Sequence, residues 1–144
     1  YRIVYNARWA DLLRQYEARC HYNEMNVLSM HALIGAYTPE GRDWLTQLRA
    51  VLETNVERTE AFFRAQDGVV LRRPEGTYLA APDFSDWCRA HGRTLAELLH
   101  AGQSVGVLWQ DGRRFHLPCG IRMALALPTW KLEEALERLK QHVF

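Results

Sequence analysis

A single arginine, Arg122, lies within an otherwise apolar run of residues from Gly120 to Pro128. The run is typical of a buried strand, and an arginine that loses its water needs an anionic partner because an unpaired buried charge is costly. A guanidinium group binds a carboxylate through two parallel hydrogen bonds. Arg122 is therefore a candidate receptor for a substrate carboxylate. The alternative is a structural ion pair with an Asp or Glu of the same chain.

The other residue types that could do chemistry show no catalytic or metal-binding spacing. Cys20, Cys88 and Cys119 are odd in number and widely spaced, so they predict no disulfide framework and fit a reducing, cytoplasmic compartment. The histidines are scattered, without Cys-x-x-Cys or His-x-x-x-His, and no metal site is expected. The chain also lacks the glycine-rich phosphate loops and the Gly-x-Ser-x-Gly pattern of a nucleophilic serine.

Composition limits the remaining functions. A length of 144 residues with 48% hydrophobic residues suffices for one domain with a core, or for one domain and part of another. The net charge of +1, with basic residues interleaved among acidic ones, argues against a nucleic-acid partner. No apolar run is long enough to span a membrane. The chain begins with Tyr1 rather than methionine, which favours a fragment or a processed chain.

Helices are predicted for most of the first half of the chain. Asn6 and Thr38 are candidate N-caps, and Pro39 is favoured at the first position of a helix. The predicted elements are a strand over residues 1–5 and helices over residues 6–20, 24–37 and 38–67. The last of these helices would be about 40 Å long. It could link two lobes, although a long core helix would have the same pattern.

The second half alternates short strands and helices. Strands are predicted over residues 69–71, 78–81, 105–109 and 121–127, and helices over residues 87–91, 95–101 and from Thr129 to the end. Thr94 and Glu97 have the spacing of a capping box, and Thr129 is the candidate N-cap of the last helix. This order predicts an α+β (α/β) unit, with a small mixed or antiparallel sheet packed against helices.

Four segments in this order resemble a known family. They are Ala36-Tyr37 with GRDWL at 41–45, GTYLA at 76–80, GVLWQDGRRF at 106–115, and IRMALALP at 121–128 with the helix that follows it. Together they resemble the C-terminal part of a fold-type I, pyridoxal-phosphate-dependent class I/II aminotransferase. Within that group the chain is most similar to the cystathionine β-lyase or C–S lyase branch.

The resemblance implies a domain organisation and a set of site residues. Residues 1–37 would be the end of the large cofactor-binding domain, residues 38–67 the linking helix, and residues 68–144 the C-terminal small domain. Arg122 would bind the α-carboxylate of an amino-acid substrate, beside a pocket loop that includes Trp109 and Phe115. The family uses pyridoxal 5′-phosphate and is dimeric, so a homodimeric aminotransferase or carbon–sulfur lyase is implied for the parent protein.

The sequence also departs from the family pattern. Ala124 stands where the family strand usually has Asn, and Ala81 where this branch often has Trp. The two lysines, Lys131 and Lys140, both lie in the last predicted helix, whereas the family's catalytic lysine would precede Tyr1. The cofactor forms a Schiff base with that lysine. We therefore expect the chain alone to be inactive, with no catalytic residue of its own, and to bind no cofactor.

A different class of function has to be weighed against this one. The chain could be a non-catalytic α+β module that binds a small acid or a partner protein through Arg122 and the loop from Trp109 to Phe115. The two interpretations differ in the first helices. Helices that derive from a large domain should expose apolar surface and associate when they are separated from their sheet.

Overall fold

The computed structural model describes residues 4–20 and 25–144. The chain divides into two compact units, Tyr1–Trp44 and Leu45–Phe144. The helices are α1 (Ala7–Cys20), α2 (Val27–Ala36), α3 (Pro39–Arg64), α4 (Ser85–His91), α5 (Leu95–Ser104) and α6 (Thr129–His142). The strands are β1 (Leu79–Ala80), β2 (Gln110–Asp111) and β3 (Ile121–Ala124), with a 3₁₀ helix at Gly112–Phe115 between the last two. The predicted α+β class is confirmed.

The first unit contains α1 and α2, and no residue of either helix is buried. Asn6 Oδ1 accepts a hydrogen bond from Trp9 N at 3.2 Å, as the predicted cap requires. Asn26 caps α2 in the same way, so this helix begins later than predicted. Of the strand predicted over residues 1–5, the first three residues lie outside the described part. Val4 and Tyr5 form no strand, since neither pairs with a described neighbour.

Helix α3 is the long helix that the sequence predicts. It has 26 residues and begins at Pro39, and the Oγ1 atom of Thr38, just before it, accepts a hydrogen bond from Gly41 N at 3.1 Å. Its inward face buries Asn55, Val56, Thr59 and Phe63. The chain leaves the helix after Arg64 and turns at Gly68, where φ is +81° and a Cβ would lie 2.7 Å from Trp87 N. Glycine avoids both the strain and the collision.

The sheet is antiparallel, with the strand order β1-β3-β2. The strand predicted over 105–109 is wrong, because α5 continues to Ser104 and the chain then turns through Gly106, where φ is +81°. The strand forms instead at Gln110–Asp111. The predicted strand 69–71 is reduced to one isolated bridge between Val70 and Asp83.

The core lies in the second unit. The fully buried apolar side chains include Phe63, Phe84, Leu98, Ile121, Leu125, Leu132 and Leu139. Helix α6 buries the predicted stripe of Leu132, Leu136, Leu139 and Val143. The capping box of Thr94 and Glu97 is confirmed. The predicted cap at Thr129 is wrong by one residue, because Pro128 occupies the N-cap position and makes no side-chain cap bond.

A buried asparagine connects α3 to the chain just after β3. Asn55 Nδ2 donates to the carbonyl oxygens of Leu125 and Leu127, both at 2.9 Å. Leu125 N in turn donates to Tyr78 O at 2.7 Å, which continues the β1–β3 contact beyond the strand. The predicted strand 121–127 therefore ends at Ala124, and side-chain and backbone bonds hold the rest of the segment in place.

Candidate functional site

Arg122 lies in the middle strand of the sheet. Its neighbours Ile121 and Met123 are buried in the core, while Arg122 itself is half-buried. Successive residues of a strand point to opposite faces, so the arginine projects from the face opposite the core. The strand register places Gln110 of β2 directly across from it.

Two neutral side chains hold the guanidinium group. Arg122 Nε donates to Gln110 Oε1 at 2.7 Å. The guanidinium carbon lies 3.8 Å from the centre of the Phe115 ring, at the end of the 3₁₀ helix. This is a cation–π contact, which attracts a guanidinium group without neutralising it. The positive charge of Arg122 therefore remains available to a ligand.

No acidic side chain within residues 4–20 and 25–144 forms an ion pair with Arg122. The acid next to Gln110 in sequence is Asp111, and it is bound by Arg113, with Arg113 Nη2 at 2.6 Å from Asp111 Oδ2. This side-chain bond, together with the Arg113 backbone N–H, lowers the pKa of Asp111 to about 2. Within the described part of the chain, Arg122 thus lacks the internal ion pair that the sequence left open as an alternative.

A cavity of about 280 Å³ lies beside the two residues that hold Arg122. Gln110, Asp111, Arg114 and Phe115 line it. Gln110 and Phe115 are the same side chains that contact Arg122. Among the described residues no acid forms an ion pair with Arg114. The lining thus carries one cation, Arg114, and one acid, Asp111, which is paired with Arg113.

Trp109 does not share this site with Phe115. Its indole ring packs against Phe84, with ring centres 6.1 Å apart. It also lies against α5 at Gly102, where a Cβ would collide with the indole ring. Of the two aromatic residues predicted for the pocket loop, only Phe115 contacts Arg122.

Gln110 is the site residue that the sequence did not reveal. It lies 12 positions before Arg122 in the sequence. It also follows directly on the apolar residues 105–109, for which the sequence predicted a strand that does not form. The signal that could have found it is the register of β2 against β3. Once β2 is placed at Gln110–Asp111, the residue opposite the arginine follows directly.

Comparisons with known proteins show what this arrangement is similar to. Over 149 residues the chain is 27% identical to an aspartate aminotransferase of Bacillus sp. (strain YM-2), covering 99% of the chain and 37% of that protein. A pyridoxal-phosphate-bound structure from Clostridium difficile 630, assigned as an aminotransferase, matches 96% of the chain with a TM-score of 0.79 and 29% identity. The match covers 35% of that structure. No protein-family model matches the chain.

A C–S lyase has the same fold. The pyridoxal-phosphate-bound C–S lyase of Staphylococcus hominis matches 96% of the chain and 36% of its own length, with a TM-score of 0.78 and 24% identity. The chain resembles the class I/II aminotransferases and C–S lyases, as its sequence predicted. It spans 37% and 36% of the length of the two curated aminotransferases that it matches. The aminotransferase and the lyase match almost equally well, so the fold is common to both activities.

The lysines of the chain do not fit the cofactor of this family. Lys131 and Lys140 are both exposed on α6, and Lys131 Nζ lies 5.2 Å from the ring of its neighbour Trp130. A lysine that forms a Schiff base needs a protected pocket, where its amine can lose its proton. No described residue supplies such a lysine.

Within the described residues there is also no helix long and apolar enough to cross a membrane.

Proposed function

We propose that this chain is the C-terminal part of a pyridoxal-phosphate-dependent aminotransferase or C–S β-lyase that acts on amino acids. In this proposal Arg122 binds the α-carboxylate of the substrate. The observation that carries the proposal is the state of the guanidinium group, which among the described residues is held by a neutral amide and an aromatic ring and forms no ion pair. The sequence match to an aspartate aminotransferase and the fold matches to an aminotransferase structure and a C–S lyase support the reaction class.

The role of Arg122 follows from its chemistry. Two parallel hydrogen bonds from a guanidinium group to a carboxylate fix the orientation of the ligand as well as its position. Holding the carboxylate in this way would set the direction of the bonds at the substrate Cα before any chemistry occurs. Because Arg122 lies on a strand whose neighbours are buried, its backbone is a rigid base for that contact.

The cofactor belongs, in this proposal, to the longer protein. Pyridoxal phosphate supplies the electron sink for chemistry at Cα when it is bound. Neither exposed lysine of this chain is placed to hold it, so we expect the chain by itself to be inactive. The proposed organisation assigns residues 1–37 to the end of the large domain, 38–67 to the linking helix and 68–144 to the small domain. The longer protein is proposed to be a cytoplasmic homodimer.

The test of this proposal is kinetic. In the longer protein loaded with cofactor, Arg122→Ala should lower kcat/KM for amino acids by about 100-fold or more, because a charge pair that binds and orients the substrate is lost. Arg122→Lys should recover only part of this, since an ammonium group cannot make the two-bond contact. Arg89→Ala is the matched control, because Arg89 is an exposed arginine of α4 that pairs with Asp86.

Three results would count against the proposal. Normal kcat/KM in Arg122→Ala would remove Arg122 from the substrate site. Turnover by the purified 144-residue chain with added pyridoxal phosphate would contradict its expected inactivity. If the protein instead binds carboxylates through Arg122 but never turns over, the non-catalytic binding module is the better description.

A further inference from the structure

We infer that Gln110 is the positioning residue of Arg122, and that it must be neutral to act as one. Its amide holds the inner nitrogen of the guanidinium group without neutralising the charge of the group, and it leaves the two terminal nitrogens to a carboxylate. This inference rests on the proposed function of Arg122, and it names the residue and the binding geometry that make that function work.

The first step concerns the donors of Arg122. A guanidinium group has one N–H at Nε and two on each terminal nitrogen. A carboxylate can bind side-on, through Nε and one terminal nitrogen, or end-on through both terminal nitrogens. Gln110 Oε1 already accepts the Nε hydrogen at 2.7 Å. The end-on mode is therefore the one that the structure leaves open.

The second step concerns the direction of approach. The Phe115 ring covers one face of the guanidinium plane, with the central carbon 3.8 Å from the ring centre. Gln110 blocks the inner edge of the same plane. These two contacts fix the tilt and the rotation of the group, and they leave its terminal edge as the route for a carboxylate. Because Gln110 and Arg122 are paired in the strand register, backbone bonds set their separation.

The third step concerns charge. A glutamate at position 110 could accept the same hydrogen bond, but it would form an ion pair and neutralise the arginine. A carboxylate ligand would then have to compete with it. Strand β2 does carry an acid, Asp111, yet Arg113 binds that acid through its side chain and its backbone N–H. The hydrogen-bond acceptor beside Arg122 is therefore the uncharged Gln110, while the neighbouring acid, Asp111, is bound to Arg113.

The deciding variant is Gln110→Glu in the cofactor-loaded longer protein. It keeps the size and the hydrogen bond of the side chain, so a merely structural role predicts unchanged or slightly raised stability and normal kinetics. We expect instead that KM for amino acids rises about tenfold or more, since a charged hydrogen-bond partner of the ligand is lost. Gln110→Ala should raise KM less, because it removes the bond that orients Arg122 but leaves the charge of the arginine unneutralised. Gln103→Glu, at an exposed position of α5, is the charge-matched control.

A pair of inhibitors gives a readout that loss of stability would not move. Propionate and its neutral amide, propionamide, differ in charge and little in shape. The wild-type protein should prefer propionate, and Gln110→Glu should reduce that preference about tenfold or more. Denaturant unfolding of each variant checks that the fold is intact.

Arg122→Ala, measured in parallel, separates the two possible failures. If Arg122→Ala changes neither KM nor the preference for propionate, the proposed function fails. If Arg122→Ala abolishes the preference while Gln110→Glu and Gln110→Ala behave like the wild type, the proposed function stands and the role of Gln110 is overturned.

Discussion

The two units of this chain differ in how far they bury their large apolar side chains. In the first unit, α1 and α2 bury nothing, and large side chains such as Leu28 (82% exposed) and Ile34 (58% exposed) face outward. In the second unit, α6 buries all four residues of its apolar stripe and exposes its charges. The second unit has a core of its own, whereas no described residue of the first unit is buried.

Helix α2 makes the difference clearest. Its sequence, VLSMHALIGA, is apolar on nearly every side, which is typical of a helix that is covered all round. Its N-terminus is nonetheless well formed, with the Asn26 side chain accepting from Ser29 N at 2.9 Å. The capping bond therefore specifies where the helix begins, while its apolar composition is typical of a helix that is buried against other parts of a protein. Such exposed apolar surface supports the proposed origin of residues 1–37 in a larger domain.

The most direct test of this difference between the units is to remove one large apolar side chain from each and to compare the effects on stability. Phe63→Ala should lower the free energy of unfolding by about 3–5 kcal/mol, because Phe63 is fully buried among other rings. Leu28→Ala should change it by less than about 0.5 kcal/mol. Urea unfolding followed by circular dichroism measures both. A cost at Leu28 as large as that at Phe63 would show that the first unit has a core after all.

Cysteine reactivity probes the same contrast without changing the core. Cys20 of the first unit is exposed, while Cys88 of the second is buried. Burial, and then the nearby Cys119 thiol, raise the pKa of Cys88 to about 11. Since the thiolate is the reactive form, iodoacetamide at pH 8 should modify Cys88 at least about 100-fold more slowly than Cys20. Peptide mass spectrometry gives the two rates, and Cys20→Ser confirms the assignment. Equal rates would mean that α4 opens readily.

Self-association tests what the exposed apolar helices do. The isolated chain should associate and bind a hydrophobic dye, and a single substitution Leu28→Glu should weaken the association about tenfold, by removing one apolar contact. Analytical ultracentrifugation measures the change. Glu57→Gln, on the exposed side of α3, serves as a control that alters charge in the second unit. A chain that stays monomeric without dye binding would argue against the large-domain origin of these helices.

The smallest effect is expected at the edge of the sheet. The Arg113 contacts lower the folded-state pKa of Asp111 to about 2, below its usual 3.8. A lowered pKa stabilises the folded protein above the unfolded-state value, and that contribution is lost as the pH falls from about 4 towards 2. Because Asp111 is only half-buried and solvent screens its charge, the loss should be small. Comparing wild type with Asp111→Asn from pH 6 to pH 2 measures it, and identical pH profiles would contradict it.

How far the sequence predicted this molecule depends on the range of the interactions. The capping box of Thr94 and Glu97 and the Leu132–Leu139 stripe are local patterns, and both are confirmed. Strand β2 was misplaced because a two-residue strand has no periodicity, while Val105, Val107 and Leu108 offer a false apolar run. Arg122 was found from its apolar neighbours. Its partner Gln110 was not, because only the pairing of two distant strands brings them together.

The bonds that Asn55 makes have a mechanical consequence. A single amide on α3 grips the chain at two points, Leu125 and Leu127, immediately after the strand that carries Arg122. An α-helix of 26 residues is a stiff rod compared with a loop. A rotation of α3 about its axis at Asn55 would displace the end of β3, and with it the guanidinium group of Arg122. A movement of the helix would then reorient the guanidinium group that we propose binds the substrate carboxylate.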